Sequence, residues 1–212
     1  MRKRTAPHNL ELEKAFAREA RERAAMDTQW GVLATLFMYP VFIPLDYLVY
    51  PEAALSFLWI RMAVVVLSVG LHLFMKLDFA KRHAHKMAVF AYLYCTLAIV
   101  LMVHLVDGYT SPYYAGINLV LIVFLFMAPM NVRQTALVCA IVYAAYLAPI
   151  IIRGGITDVP VLVANNFFLV STMLLVVLSS YLATNMRRKE FTSRFELAEA
   201  NDEDCFGSAH PA

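Results

Sequence analysis

Residues 161–185 read VLVANNFFLVSTMLLVVLSSYLATN, a stretch that contains no Asp, Glu, Lys or Arg. A helix that crosses a bilayer needs roughly 20 mostly apolar residues, so this stretch is long enough to span a membrane. Further apolar stretches meet the same standard, at about 30–50, 54–75, 87–106, 112–130 and 134–152. The sequence therefore predicts an all-α, polytopic membrane protein with six transmembrane helices.

The composition agrees with a membrane protein and excludes an ordinary soluble domain. The chain of 212 residues is 61% hydrophobic and only 16% charged. Soluble globular proteins are about 45–50% apolar and about 25% charged. The three cysteines, Cys95, Cys139 and Cys205, lie far apart and have no metal-binding spacing, so reduced thiols are expected.

The distribution of positive charge predicts how the chain is oriented. Lys and Arg concentrate in the short cytoplasmic segments of membrane proteins. Of the 18 Lys and Arg residues, all except Arg61 and Arg153 lie in segments that this topology places on one side, namely residues 1–28, 76–86, 133 and 187–194. We predict a multi-pass membrane protein with both termini in the cytoplasm.

Residues 1–28 are predicted to form a cytoplasmic amphipathic helix ahead of the membrane domain, which is assigned to residues 29–186. Asn9 is a plausible N-cap, and Leu12, Phe16 and Ala20 share one helical face. We expect this face to lie on the lipid headgroups. The alternative is a contact with a second copy of the chain or with the C-terminal helix.

The predicted sixth span continues into polar sequence without a Pro or Gly, so residues 187–201 are predicted to be helical. Arg187 opens this segment, and Phe191, Phe195 and Ala198 have the spacing of a coiled-coil seam. The pattern fits a rigid stalk that transmits a signal and fits a solvated basic anchor equally well. Residues 202–212 are predicted to be disordered.

A group of polar side chains falls in the predicted outer leaflet, although it comes from several different spans. Ionisable groups inside a membrane are costly and are therefore candidates for function. The group consists of Asp46, Arg61, His104, Asp107, Tyr113, Tyr114, Asn118, Asn165 and Asn166. One interpretation is a small-molecule pocket open to the periplasm, with Arg61 supplying positive charge. In the other, Arg61 neutralises Asp46, the asparagines join helices and the tyrosines form an interfacial belt.

Motifs for catalysis and for metal or haem binding are missing from the sequence. It contains no nucleophile elbow, no phosphate-binding glycine loop and no zinc-binding HExxH motif. His72 lies near the inner membrane surface in the second predicted span, and His104 lies near the outer surface in the third. They are most of a bilayer apart, so they cannot be the two axial ligands of one haem. We expect no catalytic residue, no metal, no cofactor and no nucleic-acid binding, and we assign the basic N-terminus to contact with anionic lipids.

Three segments together resemble a known family. They are YTSPYYAGINLV at 109–120, LWIRM at 58–62, and RRKEF at 187–191 followed by FELAEAN at 195–201. In these the chain resembles the six-helix membrane input domain that precedes the catalytic part of bacterial sensor histidine kinases and class III adenylate cyclases. The resemblance implies a homodimeric sensor of the bacterial inner membrane that passes a signal through a helical stalk to a cytoplasmic output domain or partner protein.

The resemblance does not extend to catalysis. The sequence has no phosphoacceptor-histidine helix, no nucleotide-binding glycine box and no cyclase carboxylate pair. The sequence leaves open whether the module stands alone or belongs to a larger receptor. A small transporter or permease and a non-catalytic membrane scaffold remain the alternatives. Transport needs polar groups near the midplane, and the predicted inner halves of the spans hold few of them.

Overall fold

A computed structural model describes the backbone of residues 6–127 and 130–207, and the side chains of residues 16, 18–20, 22–123 and 130–197. Within these ranges the chain forms helices and turns without strands, which confirms the all-α class. The helices are α1 (Ala6–Val41), α2 (Ile43–Val49), α3 (Ala54–Phe74), α4 (Asp78–Arg82), α5 (Ala84–Leu105), α6 (Tyr114–Met127), α7 (Val132–Arg153) and α8 (Val159–Gly207). A single 3₁₀ turn at Gly108–Thr110 precedes α6.

The apolar helices make this a multi-pass membrane protein. Helical segments long and apolar enough to cross a bilayer are found at Arg18–Val49, Ala54–Phe74, Ala84–Leu105, Val132–Arg153 and Val159–Leu197. The predicted span at 112–130 corresponds to α6, which is apolar but has 14 residues. Residues 128–129 lie outside the described backbone, so six spans remain a prediction.

Helix α5 occupies the centre of the bundle, because it packs against α1, α3, α6 and α7. Its side chains Cys95 and Thr96 are fully buried. Helix α8 packs against α6 and α7 and also contacts α1. The core is thus built around α5.

The two ends of the bundle differ in what they bring together. At one end, Tyr50 donates a hydrogen bond to Asp107, so the connections after α2 and α5 meet. We call this the Asp46 end, after the buried carboxylate of α2. At the other end, Phe16 of α1 lies edge-on to Phe191 of α8, with ring centroids 5.2 Å apart. We call this the termini end.

Two prolines interrupt the first membrane-spanning segment. Proline removes a backbone donor and clashes with the preceding helical turn, and α1 ends at Val41, directly after Pro40. Helix α2 restarts at Ile43 with Pro44 in its first turn, where proline is tolerated. The break changes the direction of the chain between α1 and α2, and Asp46 of α2 lies inside the bundle.

The predicted N-cap is wrong. Helix α1 runs without interruption from Ala6 to Val41, so the predicted N-terminal helix and the start of the first span are parts of one helix. Asn9 lies inside the helix and therefore cannot cap its start; Pro7 sits in the first turn instead. The contact between Phe16 and Phe191 is the expected alternative in which this helix meets the C-terminal one.

Helix α8 continues straight through the predicted stalk. It extends to Gly207, so residues 202–207 are helical, contrary to the predicted disorder, and 208–212 lie outside the described residues. The rings of Phe191 and Phe195 stack with centroids 6.2 Å apart. The side chain of Ala198 lies outside the described residues, so the predicted seam is defined only as far as Phe195.

Candidate functional site at the Asp46 end

A buried ion pair forms the centre of this end of the bundle. Arg61 donates from Nε to Asp46 Oδ2 at 2.5 Å and from Nη2 to Asp46 Oδ1 at 2.7 Å. The exposed fraction is 0% for Asp46 and 5% for Arg61. Bidentate pairing of this kind is the strongest arrangement that Arg and a carboxylate can make. The positive charge of Arg61 is therefore compensated within the protein.

The position of Arg61 follows from the periodicity of α3. Phe57, Arg61, Val64 and Ser68 are the buried residues along this part of the helix. Their spacing of four, three and four residues places them on one helical face. Arg61 thus occupies a core position, where an unpaired cation would be strongly unfavourable, and Asp46 supplies its partner from the short helix α2.

Helix α1 completes the surroundings of the guanidinium. Arg61 Nη1 lies 3.4 Å from the carbonyl oxygen of Tyr39. The guanidinium carbon also lies 5.9 Å from the ring centroid of Tyr39 and 5.8 Å from that of Phe42, within range for a cation–π interaction. The Tyr39 hydroxyl donates to the carbonyl oxygen of Cys95, which connects the ion pair to the central helix α5.

Tyr113 adds a third donor to the carboxylate. Its hydroxyl donates to Asp46 Oδ1 at 2.5 Å. The ring packs against Phe57 and Tyr50, with centroids 5.3 Å and 5.6 Å away. The Ser111 hydroxyl, which is fully buried, accepts from the backbone N–H of Tyr113 at 3.3 Å. Tyr113 is therefore held by aromatic packing on one side and by its own turn on the other.

Residues 107–113, which we call the linking segment, also contact the start of α8. The Tyr109 hydroxyl accepts from the backbone N–H groups of Thr157 and Asp158, at 2.8 Å and 2.9 Å. A hydrogen bond with the Thr157 hydroxyl, together with these two from the backbone, lowers the pKa of Tyr109. Asn165 Nδ2 donates to the Tyr109 carbonyl oxygen at 2.7 Å. The segment thus connects the ion pair on α2 and α3 to α8.

The predicted site residues divide between this network and the α7–α8 side of the bundle. Asp46, Arg61 and Tyr113 are in direct contact, and Asp107 joins them through Tyr50, whose hydroxyl donates to Asp107 Oδ2 at 2.6 Å. The remaining predicted residues make other contacts. Asn165 reaches the network through the Tyr109 carbonyl oxygen. Asn166 accepts from the Tyr143 hydroxyl and donates to the Leu162 carbonyl oxygen, and Tyr114 packs against the core. His104 Nε2 and Asn118 Oδ1 are buried without a hydrogen-bond partner among the described residues.

Three tyrosines of the network were not identified from the sequence. Tyr39 lies within an apolar run, where an aromatic side chain is ordinarily read as core. Tyr50 and Tyr109 lie at the ends of such runs, where tyrosines commonly form an interfacial belt. Only Tyr109 carried a further signal, because it opens the 109–120 segment that supported the family resemblance.

An apolar cavity of about 370 Å³ opens beside Arg61. Its walls come from α1, α2, α5 and α6, together with Arg61 of α3 and with Pro112 and Tyr113 of the linking segment. The polar side chains of the lining are Thr35, Tyr39, Arg61 and Tyr113, and the apolar wall includes Met38, Phe42, Ile99, Met102, Leu119 and Val120. Small-molecule sites typically have volumes of about 300–1,000 Å³ and mostly apolar walls with few polar groups. The cavity is therefore suited to a small apolar or amphiphilic molecule.

Tyr146→Phe is expected to preserve or increase stability. Tyr146 is fully buried, and its hydroxyl has no hydrogen-bond partner among the described residues. Since an unsatisfied buried polar group costs about 1–3 kcal/mol, its removal should raise the free energy of unfolding by up to that amount. Thermal unfolding in detergent would measure the change.

Tyr94→Phe is the matched control for Tyr146→Phe. The Tyr94 hydroxyl lies 2.8 Å from Ser68 Oγ, so this variant should lose stability. A loss in Tyr146→Phe as large as that in Tyr94→Phe would show that the Tyr146 hydroxyl has a partner, and would contradict the prediction.

In the described part of the chain, no group of three His, Cys, Asp or Glu side chains could hold a metal ion.

One family model, MASE8, matches residues 44–198. The match includes Asp46, Arg61, the linking segment and α8 as far as the stalk. No curated protein and no solved structure matches the chain. Because the match covers most of the chain, the chain belongs to MASE8, a family of membrane-associated sensory domains.

Proposed function

We propose that this protein is the input domain of a bacterial signalling receptor of the histidine-kinase or adenylate-cyclase type. In this proposal the Asp46 end faces the periplasm, both termini lie in the cytoplasm, and two copies act together. A signal at the Asp46 end changes the packing around the start of α8. Helix α8 then carries the change to a cytoplasmic output domain or partner protein.

The observation that carries the proposal is the continuity of α8. This helix has 49 residues without a break. At a rise of about 1.5 Å per residue it is about 70 Å long, whereas the hydrocarbon core of a bilayer is about 30 Å thick. A helix of this length reaches from the Asp46 end well beyond the opposite membrane surface. Rotation or translation at one end would therefore appear at the other.

The linking segment supplies the means by which the site could act on α8. Tyr113 bonds the carboxylate of Asp46, and Tyr109 bonds the backbone at Thr157 and Asp158 directly before α8. A molecule in the adjacent cavity would contact Tyr113 and Arg61, which both line it. Displacement of Tyr113 would be passed along four residues of backbone to Tyr109. A ligand shifts such an equilibrium only if it binds the two arrangements with different affinity.

An insertion series in the stalk tests the proposal. One to seven alanines would be inserted after Arg188, in the full chain fused to an adenylate cyclase catalytic domain, and cyclic AMP production would be measured. Each added residue rotates the helix beyond it by about 100°, and seven residues return it to within about 20°. We expect output to change several-fold with one or two alanines and to return near the starting value with seven.

The control and the contradicting result both come from the same fusion. Four glycines inserted at the same place should weaken the helical connection, because each costs about 1 kcal/mol relative to alanine. Output that ignores all insertions, or that declines steadily with their number regardless of phase, would contradict transmission through α8.

A further inference from the structure

A second cavity lies at the termini end, remote from the Asp46 network. It has a volume of about 120 Å³ and lies between α1 and α8 beside the start of α7. Its walls include three arginines, Arg23 of α1 and Arg187 and Arg194 of α8, but only one acidic side chain, Glu19. A cavity needs roughly 10–15 Å³ of such volume to hold one water molecule, so this cavity has enough room for a small anion.

Among the side chains that line the cavity, three arginines face a single acidic group, Glu19, whereas Glu190 and Asp27 lie near the arginines but outside the lining. Arg23 Nη2 lies 2.6 Å from Glu19 Oε1, and Arg194 Nη2 lies 2.6 Å from Glu190 Oε1 and 4.0 Å from the same Glu19 atom. Glu19 thus forms ion pairs with two guanidinium groups, that of Arg23 on α1 and that of Arg194 on α8. Arg187 also lines the cavity and acts on Asp27 only through longer-range electrostatics. The cavity wall is left with a net positive charge.

The start of α7 adds to this positive potential. Asn131 lines the cavity and is the N-cap of α7, a helix of 22 residues. The N-terminus of a helix carries a partial positive charge and favours anions. The Asn131 backbone N–H donates to Gln134 Oε1 at 3.2 Å, so the cap holds this helix end in place beside the arginines. Three arginines and one helix terminus therefore line the same cavity.

The surroundings of the cavity place it at the depth of lipid headgroups. Arg187 follows the last apolar run, where α8 leaves the membrane. Phe16, Ala20, Met130 and Phe191 form the apolar part of the wall. Arginine stems lie along apolar surface while the guanidinium remains at the polar boundary. The chemistry that fits this arrangement is a phosphate group, which arginine binds through paired hydrogen bonds.

We propose that this cavity binds the phosphate of an anionic phospholipid headgroup and so joins α1 to α8. Basic pockets between membrane helices at the cytoplasmic surface bind such headgroups in general. The bound lipid would contact Arg23 on one helix and Arg187 and Arg194 on the other. It would therefore stabilise the α1–α8 contact at the base of the stalk. This site is separate from the Asp46 end and does not depend on the proposed signal transmission.

The experiment compares phosphate sources on the full chain purified in detergent. Thermal unfolding would be followed during titration with phosphatidylglycerol, with phosphatidylcholine and with inorganic phosphate. We expect phosphatidylglycerol to raise the melting temperature saturably and the other two to leave it nearly unchanged. Equal stabilisation by phosphatidylcholine would overturn recognition of an anion. Equal stabilisation by inorganic phosphate would assign the site to a free anion and overturn the lipid proposal.

Arg187→Gln is the informative variant, with Arg82→Gln as its matched control. Both arginines are exposed, and both variants remove one positive charge. Because arginine binds phosphate through paired charged hydrogen bonds, Arg187→Gln should weaken the apparent affinity for phosphatidylglycerol by about tenfold. Arg82→Gln should retain the affinity of the unmodified chain. Equal weakening in the two variants would show nonspecific surface attraction and overturn the site.

Discussion

Arg61→Met is expected to lower the free energy of unfolding by about 3–5 kcal/mol, because it leaves a buried carboxylate without its partner. Asp46 is completely buried and takes both of its closest charged hydrogen bonds from Arg61, at 2.5 Å and 2.7 Å. Methionine retains the apolar stem but not the charge. At roughly 2–4 °C per kcal/mol, the melting temperature in detergent should fall by several degrees or more.

A double variant separates the loss of the charge pair from general damage to the core. Replacing both members of a buried ion pair with apolar residues is often neutral or stabilising. Asp46→Leu combined with Arg61→Met should therefore recover most of the stability that Arg61→Met loses. Arg82→Met, on the exposed helix α4, should stay within about 0.5 kcal/mol of the unmodified chain. An Arg61→Met protein that is as stable as the Arg82→Met protein would contradict the role of the ion pair.

Phe57→Ala is expected to cost about 3–5 kcal/mol, the usual range for truncating a buried Phe. Phe57 has an exposed fraction of 0%, lies one helical turn before Arg61 on α3, and packs against the aromatic rings of Tyr50 and Tyr113. Its removal leaves a cavity and frees Tyr113 to move away from Asp46. Thermal or denaturant unfolding in detergent would measure the loss.

Trp59→Ala is the matched control, because it truncates a larger aromatic side chain on the same helix. Trp59 is 70% exposed in the bundle and faces outwards, toward lipid. Its truncation should have a far smaller effect on unfolding than that of Phe57. If both variants lose equal stability, the α3 periodicity that places Phe57 and Arg61 in the core would be contradicted.

The apolar runs and the absence of helix breakers were sufficient to predict most of the helices. Residues 161–201 contain no Pro or Gly, and the structure accordingly has one continuous helix there. The same reasoning also explains the error at the N-terminus. The side-chain preference of Asn9 predicts an N-cap at that position. Pro7 favours the first turn of a helix, however, and no helix-breaking residue separates Pro7 from Asn9, so the helix has already begun before Asn9. No residue between 10 and 30 is Gly or Pro, so α1 enters the membrane unbroken.

The candidate site could be predicted only in part, for a physical reason. The scarcity of charge inside the apolar runs identified Asp46 and Arg61, because an unpaired charge there is so unfavourable. The partners of Tyr109 depend instead on the backbone course of two connecting segments. Its hydrogen bonds reach Thr157 and Asp158, 48 and 49 positions along the chain. No local periodicity encodes a contact of that kind.

The packing of α1 has a practical consequence for building chimaeric receptors. The family match starts at residue 44, whereas α1 lies before it and packs against α3 and α5. A chimaera whose junction lies at residue 44 would lack α1, which packs against the central helix α5. It would also lack Tyr39, whose carbonyl oxygen and ring face Arg61. The transplantable unit is therefore longer than its recognisable sequence, and junctions placed upstream of α1 are the ones that preserve it.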